Sequence, residues 1–319
     1  MFSLAAYTIK VKQLHKRGHD YCDLSEFGDK KFDIEDFLTD FFGSRLESYL
    51  TLPNSRMMRI ATLLDITPSR TWAGFIETGD YGYTSDLFDT AANVVSYHRK
   101  APEAEMIPFF FMLSVPANAS MGILLLQRFK QFGIKSHLVP ELKRAFEKTY
   151  SGFGLEIERL VPKTFIDNVL KDGVLKALRF INYELPSDLA DTAKTLGIKP
   201  VVSSAELIIH ARREHSLPMP KAVESVFKRT KNVIDIVELP SFEYSTVKLE
   251  MEVGNRRRTI NLSSIENMGG NFDITEEISV GPNGHPRPDS IFKVTGEYLV
   301  DLLAGVKISV DQPKLKRKN

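Results

Sequence analysis

Cysteine is almost absent: Cys22 is the only one in 319 residues. One thiol excludes an intrachain disulfide and any metal cluster built from several cysteines, and it fits a reducing cytoplasm. Also missing are GxxxxGK[ST], GxSxG and HExxH, the commonest signals of P-loop phosphate binding, α/β-hydrolase and zincin chemistry. Those absences lower the expectation of an enzyme, and no cofactor is expected. The opening MFSLAAYTIKVKQ has too short an apolar stretch for a secretory signal and lacks a basic leader. It reads as a first β-strand.

What is there describes an ordinary globular chain, 43% hydrophobic and 26% charged. Its length allows one large body or two domains. The net charge of +1 hides an uneven distribution. Residues 1–126 hold 12 Lys+Arg against 16 Asp+Glu, a balance of −4. Residues 127–231 hold 19 against 12, or +7, and residues 232–319 hold 11 against 13, or −2. A basic middle between acidic flanks is either a patch for a polyanion or a set of helices with solvated lysines.

Met106–Gln127 carries no charge and is long enough to span a bilayer. Pro108, Pro116, Asn118, Ser120 and Gly122 interrupt it, and such breaks would expose backbone groups to lipid. Its two apolar runs around VPANAS predict a buried β-hairpin, with no membrane insertion.

The remaining pattern predicts an α+β protein, mainly antiparallel sheet with flanking helices. Asp33 caps a helix with Ile34, Phe37, Leu38, Phe41, Phe42, Leu46, Tyr49 and Leu50 on one face. Short apolar runs separated by turn signals predict a β-meander over 57–129, followed by a helix over 133–150. LEIERLV, VLKALRFINYEL and VVSSAELIIHARR read as strands, and further strands are expected at 244–253 and 256–263. Short helices are expected from Pro162 to near Gly173, after Pro186 and over KAVESVFKRTK. Ser290 is expected to cap a last helix that Gly305 ends. The expected division is 1–183, 184–312 and a basic disordered tail, 313–319.

Two clusters carry candidate chemistry. Glu77, Asp80, Asp86 and Asp89, followed by His98, Arg99, Lys100, Glu103 and Glu105, would suit a metal-dependent nuclease if the loop 79–90 folds back onto a strand at 91–98. Asp80, Asp86 and Asp89 would then be the metal ligands; carboxylates in a Gly-Asp-Tyr-Gly turn otherwise serve the turn itself. His210 and His215, spaced by five residues, are poorly placed to share a metal. The basic candidates for DNA contact are Arg128, Lys130 and Lys135 after the hairpin, Arg212 and Arg213, Lys228, Arg229 and Lys231, and Arg256, Arg257 and Arg258. On one surface they would bind phosphates with salt-sensitive, largely sequence-independent affinity.

The stretch MIPFFFMLSVPANASMGILLLQRF, a helix, then LEIERLVPKTFIDNVLKDGVLKALRF occupies residues 106–180. In pattern it resembles the Rex-type phage-exclusion proteins of lambdoid prophages. The resemblance implies a cytoplasmic, homodimeric, non-specific DNA binder, related in shape to the recombination-associated RdgC proteins, and it assigns no binding residue. Function is therefore expected in anti-phage defence or prophage exclusion, through the backbone of duplex DNA. The alternatives are a nuclease effector of a defence system, or a non-catalytic subunit docking a protein partner.

Overall fold

The computed structural model describes residues 2–14, 21–67, 70–160, 173–182, 205–213, 215–218, 244, 246–253, 256–262 and 271–316. In chain order the first elements are β1 (Phe2–Gln13), α1 (Ile34–Ser44), β2 (Tyr49–Leu52), β3 (Arg56–Leu63), β4 (Ile66–Thr67) and β5 (Thr71–Asp80). Then come β6 (Ser85–Asp89), β7 (Val94–Arg99), β8 (Ile107–Ser114), β9 (Gly122–Phe129), β10 (Phe132–Gly133), α2 (Lys135–Thr149) and β11 (Phe153–Arg159). The rest are β12 (Val174–Asn182), β13 (Ala205–His210), β14 (Thr246–Val253), β15 (Arg256–Asn261), β16 (Asn271–Asp273), α3 (Pro288–Gly305) and β17 (Lys314–Leu315). The chain is mixed α+β with antiparallel sheets, as its pattern predicts.

It divides into two compact units, Met1–Leu160 with Ile278–Asn319, and Val161–Glu277. The expected division at 183/184 therefore falls instead at 160/161, with the C-terminal helix returning to the first unit. That boundary also cuts the basic middle segment in two.

In the first unit the strands run β11-β1-β9-β8-β5-β3-β2, every neighbouring pair antiparallel, with β10 beside β9. The expected meander is the run β9-β8-β5-β3, and the Met106–Gln127 hairpin is β8 and β9, in register from Phe111↔Leu126 to Ser114↔Ile123. Phe109–Ser114 and Gly122–Gln127 are buried without a break because helices cover both faces of the sheet. That explains an antiparallel hairpin with no polar alternation. One face, including Tyr7, Ile9, Phe109, Phe111 and Leu124, packs on Phe37, Phe41, Leu138, Leu142 and Phe146 of α1 and α2. On the other face α3 lies against β8 and β9, burying Ile291, Tyr298, Leu299 and Leu302.

The expected elements differ from the structure in four places. First, α1 stops at Ser44: Glu47 adopts a left-handed φ of 59°, and Tyr49–Leu52 pair with β3, so Leu46, Tyr49 and Leu50 leave the helical face. Second, the segment 79–90 does fold back onto a strand at 94–99, but as a strand itself: β6 pairs with β7 in a separate two-stranded ribbon. Third, α3 opens on Pro288, whose fixed φ suits a first helical residue, and Ser290 Oγ instead accepts from the Ser279 N–H at 2.8 Å. Fourth, Lys314 and Leu315 pair with Thr67 and Ile66, so the tail is ordered at least through this short ladder. The helices expected from Pro162, after Pro186 and at KAVESVFKRTK lie outside the described residues.

Asp33 caps α1 as expected, accepting the Glu35 N–H at 2.8 Å. Arg70 completes the junction: its guanidinium reaches Asp33 at 2.7 and 2.9 Å and Glu35 at 2.8 Å, while its Nε donates to the Val115 carbonyl at 2.7 Å. One side chain thus ties the start of α1 to the end of β8.

The second unit carries a sheet in the order β13-β12-β14-β15, again antiparallel throughout. Among its described residues, cations such as Arg179 and Lys248 are matched by carboxylates of the same unit. Arg179 bonds Glu206 at 2.7 Å and also pairs with Glu276, and Lys248 meets Asp273 at 2.9 Å with both side chains nearly buried.

Burial pushes the Asp33 pKa up, but Arg70 and the Glu35 N–H outweigh it and hold the carboxyl below its usual value. A depressed folded pKa contributes stability above the unfolded aspartate value of about 3.9 and loses it as the pH falls through the folded one. Arg70→Met is therefore expected to destabilise by roughly 2 kcal/mol near neutral pH, discounted from a fully buried pair for partial exposure. Urea unfolding of both proteins at neutral and acid pH checks this: the gap between them should narrow as Asp33 protonates. An equal gap at both pH values would contradict the assignment.

Candidate anion-binding site

A cavity of about 520 Å³ opens between the first unit's sheet and the first turn of α2. Its floor is strand: Tyr7 of β1 stands directly across from Arg159 of β11, and on the other side of β1, Ser3 pairs with Arg128 of β9. Because side chains alternate along strands, Ala5, Tyr7, Leu126, Arg128 and Arg159 share the face beneath α2. Its wall is the helix start, with Ile134, Lys135, Ser136, Val139 and Pro140. Lys135 Nζ sits 4.9 Å from the centre of the Tyr7 ring.

The electrostatics are one-sided. Arg128, Lys135 and Arg159 line the cavity together, and no Asp or Glu does. None of the three forms an ion pair among the described residues, and Arg128 spends one N–H on the Gln131 carbonyl at 3.5 Å. Other cations of this unit do find carboxylates, among them Lys12 with Glu156, Arg59 with Glu77, Arg70 with Asp33 and Lys316 with Asp65. Tyr7 is 5% exposed, and its hydroxyl has no hydrogen-bond partner among the described residues. Burial pushes the phenol above its usual pKa, against the pull of Arg159 and Arg128, so at neutral pH it stays protonated and can donate.

The helix contributes too. α1 starts on a capping aspartate with two further acids, whereas α2 starts at Ile134 with no side-chain cap and no acid in its first turn. Its positive dipole end is left unmatched by the protein. Pro140 has no N–H for the Ser136 carbonyl, which instead accepts from Arg56 at 3.4 Å.

Of the basic candidates, the structure brings Arg128 and Lys135 to this cavity. Lys130 is exposed in the turn before β10, at φ 52°, with its ammonium 5.4 Å from the Phe129 ring. Arg212 and Arg213 follow β13 in the second unit and are exposed. Of Arg256, Arg257 and Arg258 the backbone is described, pairing with Val253, Glu252 and Met251. Lys228, Arg229 and Lys231 lie outside the described residues. No match was found between this chain and any family model or curated protein. Tyr7 and Arg159 escaped sequence reading because the antiparallel pairing that makes them neighbours joins residues 152 positions apart.

The acidic candidates go to separate tasks. Glu77 faces Arg59 across the strand pair, at 3.5 Å. Asp80 lies 4.0 Å from Arg56 and 3.8 Å from His137 Nε2, too far for a hydrogen bond. Burial first, then Arg56, hold His137 below its usual pKa, against Asp80. Asp86 bonds His98 across the ribbon at 2.6 Å, and Asp89 accepts the N–H groups of Ala91 and Ala92, which hold its pKa down. Among the described residues no group of three or more His, Cys, Asp or Glu could hold a metal. His210 ends β13 and His215 follows Arg213, both exposed.

The ribbon itself is anchored at its base. Arg99, 6% exposed, donates to the Asp80 and Tyr83 carbonyls at 3.1 and 3.3 Å and lies 4.1 Å over the Tyr83 ring. Beyond that base Leu87, Phe88, Val94, Val95 and Tyr97 are exposed. Arg99→Met should therefore release the ribbon rather than unfold the unit. Two charged hydrogen bonds lost, at about 1.5 kcal/mol or more each, correspond to about a hundredfold or more faster amide exchange in 85–99. Hydrogen exchange with mass readout checks it, and unchanged protection there would show that the strand pairing holds without the anchor.

Proposed function

We propose that this chain binds duplex DNA through its sugar–phosphate backbone without reading bases, in the cytoplasm, as a homodimer serving prophage exclusion or another anti-phage defence. The observation that carries the DNA contact is the cavity rim: three unpaired cations with no carboxylate among them, and Lys130 exposed nearby. Arginine and lysine in that state attract phosphate and release counterions on contact, and nothing in the arrangement selects a base. The lone cysteine supports the compartment. The defence role and the dimer are supported by the pattern shared with Rex-type proteins over residues 106–180.

Gel-shift titration at two salt concentrations tests the contact. Three to four phosphates neutralised imply that a fourfold rise in monovalent salt weakens binding roughly 40- to 150-fold. Arg128→Glu together with Arg159→Glu should weaken every duplex alike, whatever its sequence. A protein that binds no DNA at low salt, or a double variant that binds as tightly as the parent, would overturn the reading.

A further inference from the structure

The cavity is concave, and a continuous duplex is a convex rail; its outermost phosphates can touch the rim but cannot enter. A volume of about 520 Å³ is instead that of a small-ligand site. Three positive side chains converge on it, more than one singly charged phosphodiester would neutralise. Every titratable group in the lining donates: Arg128, Arg159 and Lys135 have no acceptor, and Tyr7 keeps its proton. A phosphate monoester has the complementary features, with about 1.5 to 2 negative charges and three terminal acceptor oxygens.

We infer that this cavity binds a phosphate monoester, with Arg128, Arg159, Lys135 and the Tyr7 hydroxyl as its donors; this rests on reading the site as phosphate-binding. The chemistry has two sources, the 5′-phosphorylated end of a nucleic-acid strand or a free nucleoside monophosphate. Tyr7 is the selective element. It is buried and unpartnered among the described residues, so its hydroxyl is left to solvent until a ligand oxygen reaches the cavity floor. A backbone phosphate resting on the rim leaves it unused.

Fluorescence anisotropy with two duplexes of one sequence, 5′-phosphorylated and 5′-hydroxyl, tests the first source. Calorimetry with adenosine 5′-monophosphate against adenosine tests the second. The full chain should prefer the phosphorylated member of at least one pair by about tenfold or more, as expected for charge-assisted hydrogen bonds. Tyr7→Phe keeps the ring beneath Lys135 and should cut that preference several-fold, with unchanged circular dichroism. Lys135→Met, on an exposed residue, should cut it too, and serves if the Tyr7 variant misfolds. Equal affinity within both pairs overturns the inference. If the duplexes still bind with strong salt dependence, the backbone reading survives that failure. If no duplex binds but the monophosphate does, the backbone reading falls and the monoester site stands, with the free nucleotide as its source.

Discussion

The middle of the first unit's sheet has no face turned to water, and that constraint places everything else. β8 and β9 are buried on both sides from Phe109 to Ser114 and from Gly122 to Gln127, so helices must cover both faces. α1 and α2 cover one and α3 the other, which is why the C-terminal helix belongs to the first unit although a second unit intervenes in the chain. Charged groups can then appear only where the cover ends. Arg128 is the first position of β9 no longer fully buried, and Arg159 is exposed at the end of β11. The cationic cavity forms where the start of α2 meets these two strand ends.

What marks this place is three cations lining one cavity with no carboxylate among them. Arg70 is matched by Asp33 and Glu35, and Arg179 by Glu206, Glu250 and Glu276. Three positive side chains held near one another without such matching repel one another, and the fold tolerates this at a cost that an incoming anion would relieve. The uncapped start of α2 points the same way: its dipole faces the cavity with no acid to answer it.

The local chemistry of the fold was largely legible. Asp33 caps where its side chain predicts, and the uncharged run 106–127 makes the buried hairpin because its breaks fall at VPANAS. Legibility failed where tertiary pairing overrode a local pattern. Tyr49 and Leu50 continue the helical spacing of α1 but are taken up by the edge of β3, and Lys314–Leu315 pair with β4 despite a composition suited to a solvated tail. The candidate site was half legible. Arg128 and Lys135 stand seven positions apart and drew notice as a basic cluster, whereas Tyr7 and Arg159 become neighbours only through the β1–β11 ladder. Charge counts along the chain cannot show such a meeting, and the +7 segment is itself divided between two units.

β1 lies between β9 and β11 and buries every residue from Leu4 to Ile9, Tyr7 among them. The strand that completes the core therefore also supplies the floor of the cavity. A larger or differently shaped residue at position 7 must be accommodated by α2 and both flanking strands, so the floor is the least adaptable part of the site. Divergence in what the cavity accepts would accumulate at its margin instead, at Lys135 and Arg159, where a side chain can be exchanged while the packing beneath it stays as it is.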